Sequence, residues 1–155
     1  MHLRVVVTIA PAWLFAGATL ADPPDILKMN QVEFEKTFSL SAVSLTELQS
    51  LAQTVREREK LPALVLTCGE EGILALSPEG VFRATAPLQQ AVNTAGAGDT
   101  ASAMLTSRLS LGERWSEALR WAAAGGAACV LTEGTADSRR PDVERLLPQV
   151  EVWQL

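Results

Sequence analysis

Histidine, cysteine and basic charge are all scarce in this chain of 155 residues, and each shortage removes a class of function. The one histidine is His2, so neither a histidine-based catalytic triad nor a histidine-rich metal site can be assembled. The two cysteines, Cys68 and Cys129, form no CxxC pair and each lies in an apolar run. They read as buried, reduced thiols rather than a disulfide. Against 18 Asp and Glu there are only 13 Lys and Arg, a net charge of −5. That balance lacks the basic stripe of a general nucleic-acid-binding surface, so no nucleic-acid partner is expected. An anionic ligand stays open, because backbone N–H groups can hold one. There is no internal repeat, low-complexity tract or linker, and the apolar run near the start is too short to cross a bilayer. Any chemistry falls to Asp, Glu, Ser, Thr, Lys, Arg or the backbone.

What is present is enough apolar sequence for a core. Hydrophobic residues make up 48% and charged residues 20%, which excludes intrinsic disorder, and the length predicts one domain over residues 1–155. The first residues admit two readings. Val5 to Thr8 can be a buried strand, with a turn at Pro11 and a helix through Ala21. Alternatively, the basic start, the apolar stretch and Thr19-Leu20-Ala21 before Asp22 make a weak signal peptide.

Strands and helices then alternate. A strand is predicted over Asp25–Lys28 and a short helix from Asn30 to Phe38. A longer helix runs from Leu45 to Glu59, with Leu45, Leu48, Leu51, Ala52 and Val55 spaced for one buried face. Ser44 and Glu47 are placed as its capping box. The apolar run Ala63–Cys68 reads as a central parallel strand. Ile73–Leu76 and Val81–Arg83 flank Ser77-Pro78-Glu79-Gly80 as a hairpin. A short strand near Gln89–Val92 leads to helices over Ala97–Leu109 and Ser116–Leu131, and a last helix covers Pro141–Leu147. The alternation implies a mostly parallel sheet covered on both faces.

Asn93-Thr94-Ala95-Gly96-Ala97-Gly98-Asp99-Thr100 joins a predicted strand to a long helix. Its glycines and small residues let another group approach the backbone, and the leading N–H groups of the helix have no internal partner. With the positive end of the helix dipole, Gly96, Ala97 and Gly98 form a candidate anion hole for phosphate. Asp99 is placed as a general base for a hydroxyl that attacks phosphorus. The plainer alternative is a tight turn with an acidic residue in a first helical turn. The stretch is neither a Walker A loop nor a dinucleotide fingerprint. Thr67-Cys68-Gly69-Glu70-Glu71-Gly72 ends the strand at Ala63–Cys68, where open α/β sheets bind ligands, or it is a plain strand exit. Asn30 and Glu33 read first as a helix cap, with a metal or phosphate site as the lesser alternative.

In this order and spacing the three segments resemble the PfkB (ribokinase-like) carbohydrate kinase family. Asn93 to Thr106 follows the family's C-terminal signature, departing at Met104, where Ala or Gly is usual. Pro24-Asp25-Ile26-Leu27-Lys28-Met29-Asn30 with Glu33 is similar to its PDLIKPN-x-x-E segment, in the form found among hexose-phosphate kinases such as 1-phosphofructokinase and tagatose-6-phosphate kinase. Thr67 to Gly72 resembles its T-x-G-x-x-G nucleotide loop. The resemblance implies a three-layer αβα fold with a mostly parallel sheet, here truncated at the N-terminus to the C-terminal half of such a kinase. It implies ATP and Mg²⁺ as cofactors and a sugar or sugar phosphate as the acceptor. Asp99 is then the catalytic base. Gly96, Ala97 and Gly98 are the anion hole, and Lys28, Thr67, Gly69, Gly72 and Ala123 border the nucleotide. Asn30 and Glu33 organise Mg²⁺ through water.

Three departures accompany the likeness. Asn93 stands where many relatives have Asp, which bears on a monovalent-cation site. Ala123 stands where an Asn often faces adenine, leaving apolar contacts to the base. Gly125 and Gly126 replace the usual alanines and weaken their helix. The resemblance favours the strand–helix reading of the first residues and, through ATP, a cytoplasmic location with no membrane. It also leaves a sheet edge near Val5–Thr8 open to pairing with a second copy or a complementing chain. Two other functions remain in view: a non-catalytic nucleotide- or phosphate-binding module, and a secreted α/β protein with an incidental glycine turn.

Overall fold

The structure, a computed structural model, describes residues 5–7 and 24–155. Its strands are β1 (Val5–Val7), β2 (Ile26–Asn30), β3 (Ala63–Thr67), β4 (Ile73–Ser77), β5 (Gly80–Thr85) and β6 (Glu151–Gln154), lying side by side in that order in one sheet. The expected helix after Pro11 and the signal-peptide alternative lie outside the described residues. Among those described, no helix is long and apolar enough to cross a membrane.

Strands β1, β2 and β3 are mutually parallel, whereas β3–β4, β4–β5 and β5–β6 pair antiparallel. The expectation of a mostly parallel sheet is corrected here: the sheet is mixed. The reason is chain length. Only Cys68 to Gly72 separate β3 from β4, while a parallel return needs a crossover of about a dozen residues.

Alternation along the strands builds two cores. Ile26, Ala63, Val65, Ala75, Phe82 and Ala84 pack towards α3 (Ala97–Ser110), α4 (Trp115–Cys129) and α5 (Arg140–Leu146). Leu27, Met29, Leu64, Leu66, Leu74 and Leu76 pack towards α1 (Gln31–Phe38) and α2 (Leu45–Arg58). Each fully buried Leu or Phe contributes roughly 1.5–3 kcal/mol. The result is the expected three-layer αβα arrangement. Of the predicted face of α2, Leu48, Ala52 and Val55 are buried, with Leu45 and Leu51 packed at the margin.

Local signals explain the helix starts. At α1 the capping box is complete: Asn30 Oδ1 accepts from Glu33 N and Glu33 Oε2 accepts from Asn30 N, both at 2.8 Å. At α2 only half of it forms. Ser44 Oγ accepts from Glu47 N at 3.2 Å, but the Glu47 carboxylate takes the Val43 amide instead, at 2.8 Å. The N-terminus of α4 is capped from afar, the hairpin-turn Glu79 Oε2 accepting from Trp115 N at 3.2 Å. The strands differ from expectation in two places. Gln89–Val92 is not a strand, because the Val92 amide is spent on Val130 O at the end of α4, at 2.7 Å. Strand β6, pairing Trp153 with Arg83, had not been expected.

Candidate active site

Two chain features meet at one end of the sheet. The first is the carboxyl end of the parallel pair β2–β3. Lys28 lies opposite Val65, and Asn30 opposite Thr67. Lys28, Asn30 and Thr67 therefore project from the sheet face that α3 covers, since residues two apart share a face. The second feature is the N-terminus of α3. Gly96 is its N-cap with φ +82, and no side chain caps it. Of the leading amides, Ala97 N donates to Thr94 O at 3.3 Å. The Gly98 and Asp99 amides therefore lead the helix without a partner inside it. Of the expected anion-hole residues Gly96, Ala97 and Gly98, Ala97 thus has its amide engaged within the turn.

Between these features lies a cleft of about 530 Å³. The candidate base, anion-hole, nucleotide and Mg²⁺ residues all line it: Lys28, Asn30, Glu33, Thr67, Gly69, Gly72, Gly96, Ala97, Gly98, Asp99 and Ala123. Asp99 is exposed to the cleft rather than sunk among apolar neighbours, while Lys28 is buried at 5% exposure. Burial holds the Lys28 ammonium below its ordinary pKa, and the charges of Glu33 and Asp99 offset part of that shift. Sequence reasoning missed the opposite wall, where Ala86 to Gln89 and Ala91 follow β5. No motif marks them; they reach the cleft because β5 ends at its mouth. Cys68 has no part in nucleophilic chemistry, since burial pushes its thiol up to about 11.

Two glycines are required by the chain's own packing. A Cβ on Gly96 would stand 2.3 Å from Ala136 N, and one on Gly72, at φ +88, 2.1 Å from Ala84 O. The turn before α3 is also clasped from its other side. Asn93 Nδ2 donates to Glu133 O at 3.0 Å and to Gly134 O at 3.5 Å, while Asn93 Oδ1 accepts from Ala95 N at 3.0 Å.

A divalent ion can be tested against the donors present. Among the described residues no three His, Cys, Asp or Glu gather into a metal cluster. Asn30 Oδ1 and Glu33 Oε2 are tied into the helix cap, which leaves the second Glu33 oxygen for an outside ligand. Such a donor set fits Mg²⁺, which keeps several waters and takes other ligands from phosphates.

The likeness to known proteins is consistent with this geometry. Residues 2–142 match the pfkB family carbohydrate kinase model. The chain is 33% identical over 137 residues to the bifunctional protein HldE of Rhodopseudomonas palustris, covering 87% of this chain and 27% of that protein. It is 31% identical over 120 residues to an ATP-dependent 6-phosphofructokinase isozyme 2 of Mycobacterium tuberculosis, covering 77% of this chain and 35% of that protein. Among solved structures, phosphofructokinase-2 from Escherichia coli in complex with potassium superposes with a TM-score of 0.79 at 22% identity, over 93% of this chain and 46% of that one. Arabidopsis thaliana ribokinase complexed with ribose and ATP gives 0.76 at 24%, over 92% and 46%. The chain thus spans less than half the length of each of these relatives, with a shared fold throughout the match, and it belongs to the pfkB family of carbohydrate kinases.

Proposed function

We propose that this chain carries the phosphoryl-transfer site of an ATP-dependent kinase that acts on a hydroxyl of a sugar or sugar phosphate. The observation that carries the reading is the convergence, in one cleft, of buried Lys28, the uncapped start of α3 and the exposed Asp99 carboxylate. Little covalent chemistry is asked of the protein in phosphoryl transfer; positioning and charge stabilisation do most of it. The Gly98 and Asp99 amides and the Lys28 ammonium stabilise the oxygens of the transferring group. Asp99 accepts the proton of the attacking hydroxyl. Thr67, Gly69 and Gly72 border the nucleotide at the end of β3, with Ala123 on the far wall. Asn30 and Glu33 hold Mg²⁺ through its waters, and the ion when bound neutralises phosphate charge. Use of ATP places the working chain in the cytoplasm.

Titration calorimetry with ATP and Mg²⁺ tests the binding half of this reading. ATP-dependent phosphorylation of a hexose phosphate tests the catalytic half. Asp99→Asn is expected to lower turnover by about 10²–10⁴-fold while leaving nucleotide binding in place. No heat with ATP would overturn the reading altogether. A second reading, a nucleotide-binding module completed by a second copy or another chain, is favoured by one observation. Strand β1 is a sheet edge among the described residues, paired only with β2. Nucleotide binding without turnover, together with a mass above that of the single chain, selects it.

A further inference from the structure

The loop after β3 has a back as well as a front. Thr67, Gly69, Glu70 and Gly72 line the large cleft, whereas Cys68 and Glu71 of the same loop line a separate hollow of about 150 Å³ together with Arg83. The loop closes on itself: Cys68 N donates to Gly72 O at 2.8 Å, and Glu71 N to Cys68 O at 3.1 Å. From behind, β5 holds it. Arg83 Nε donates to Glu71 O at 3.3 Å, and Arg83 Nη2 is paired with Glu71 Oε2. In the sheet Arg83 lies between Leu74 of β4 and Trp153 of β6, and its Cζ stands 5.9 Å from the centroid of the Trp153 ring. The guanidinium therefore joins the loop to the far edge of the sheet. Among the described residues, those that line the large cleft include neither Arg83 nor Glu71.

A loop that is ordered only when its ligand arrives costs affinity, and order already present recovers it. Resting on the nucleotide reading above, we propose that Arg83 is a positioning residue for the nucleotide. Through Glu71 it holds Gly69, Glu70 and Gly72 in the form that meets the ligand, without touching the ligand itself. The pair is partly exposed, at 33% for the Arg83 side chain and 60% for that of Glu71. Its effect on affinity is therefore limited to about two- to fivefold.

Charge alone makes the opposite prediction for one of the two partners. Acting only through their fields, Arg83 would favour a bound polyanion and Glu71 would oppose it. Acting as a clasp, both favour it. The test is calorimetric titration of ATP with Mg²⁺ into the full chain as wild type, Arg83→Met, Glu71→Ala and the double variant, with a melting curve to show that each is folded. Both single substitutions are expected to weaken ATP binding about two- to fivefold, and the double variant to bind no worse than Arg83→Met alone. Tighter or unchanged ATP binding in either single variant overturns this inference alone and leaves the kinase reading standing. So does a double variant in which the two losses multiply, since the residues would then act separately. A wild-type chain that binds no ATP removes the nucleotide reading, and this inference with it.

Discussion

The ammonium nitrogen of Lys28 stands 2.8 Å from the point where a Cβ on residue 98 would lie, so the end of β2 and the start of α3 meet at the carbon that glycine lacks. Gly98 has no left-handed backbone to excuse it. In a first helical turn Ala is better than Gly by about 1 kcal/mol. The neighbour in the way is the flexible end of a lysine, which can move aside. Gly98→Ala is therefore expected to leave the melting midpoint unchanged or slightly raised. At the same time nucleotide affinity falls about tenfold or more, because the displaced ammonium no longer faces the phosphates. Thermal unfolding and calorimetry on the same sample separate the two effects. A variant that binds ATP normally would show that Lys28 does not need its present position.

Lys28 also sets a pH dependence. Its folded-state pKa lies below the ordinary 10.5, chiefly through desolvation, with Glu33 and Asp99 pulling the other way. Between that lowered value and 10.5 the unfolded chain holds the proton and the folded chain does not. Stability then rises with pH across this window, and below it the cost of burying the charge is constant. Lys28→Met, followed by denaturant titrations at stepped pH, is expected to remove that rise. Phosphate binding favours the charged ammonium, so affinity for ATP falls as pH climbs through the same window in the wild type only. Parallel pH curves for the two proteins would remove Lys28 as the titrating group.

Asn93 holds the turn before α3 against the loop at Glu133 and Gly134 through its side-chain amide. Each such hydrogen bond contributes about 0.5–1.5 kcal/mol net. Asn93→Ala is expected to cost about 1–3 kcal/mol on that account, measured by urea denaturation. Asn93→Asp keeps the shape and the acceptor for Ala95 N, yet turns a carboxylate towards two carbonyl oxygens. It is expected to be at least as destabilising as Ala in a buffer free of sodium and potassium, where no cation offsets the charge. An aspartate variant as stable as the wild type would mean that the amide donor is not what holds this loop.

The site was more legible in the sequence than the sheet was. The turns that line the cleft are local, so the residues that build them are contiguous: Gly96 to Asp99 on one side, Thr67 to Gly72 on the other. Strand direction is not local. The apolar run at Ala63–Thr67 shows burial on both faces but says nothing of which way its neighbours run. The short span Cys68–Gly72 was the available signal, being too brief for a crossover. Strand β6 hid for a different reason. Of Glu151, Val152, Trp153 and Gln154, only Val152 packs against the core, so an edge strand this short leaves almost no alternation to read. Residues 86–91 were not legible as cleft wall, Gln89–Val92 reading as a strand, because only the tertiary path of the chain after β5 brings them to Ala123.

Met104 and Gly125 look like two separate departures from the family pattern, but in the structure they are one. A Cβ on Gly125 would stand 2.8 Å from Met104 Cγ and 3.7 Å from Met104 Cβ. The larger residue on α3 thus occupies the space that the smaller one on α4 leaves. Met104 packs against the buried core that α3 and α4 share, so its Cγ cannot swing away as a surface side chain would. Two terms then compete in Gly125→Ala. Helix propensity favours Ala by about 1 kcal/mol, and overpacking costs about 1–3 kcal/mol. The single substitution is expected to be neutral to destabilising. On a Met104→Ala background the overpacking term vanishes, and the same substitution is expected to stabilise by about 1 kcal/mol. The coupling energy from urea denaturation of the four proteins of this cycle is therefore expected at about 1–3 kcal/mol, favouring the native pair. If Gly125→Ala has the same effect on both backgrounds, the two residues do not compensate, and the glycine needs another explanation.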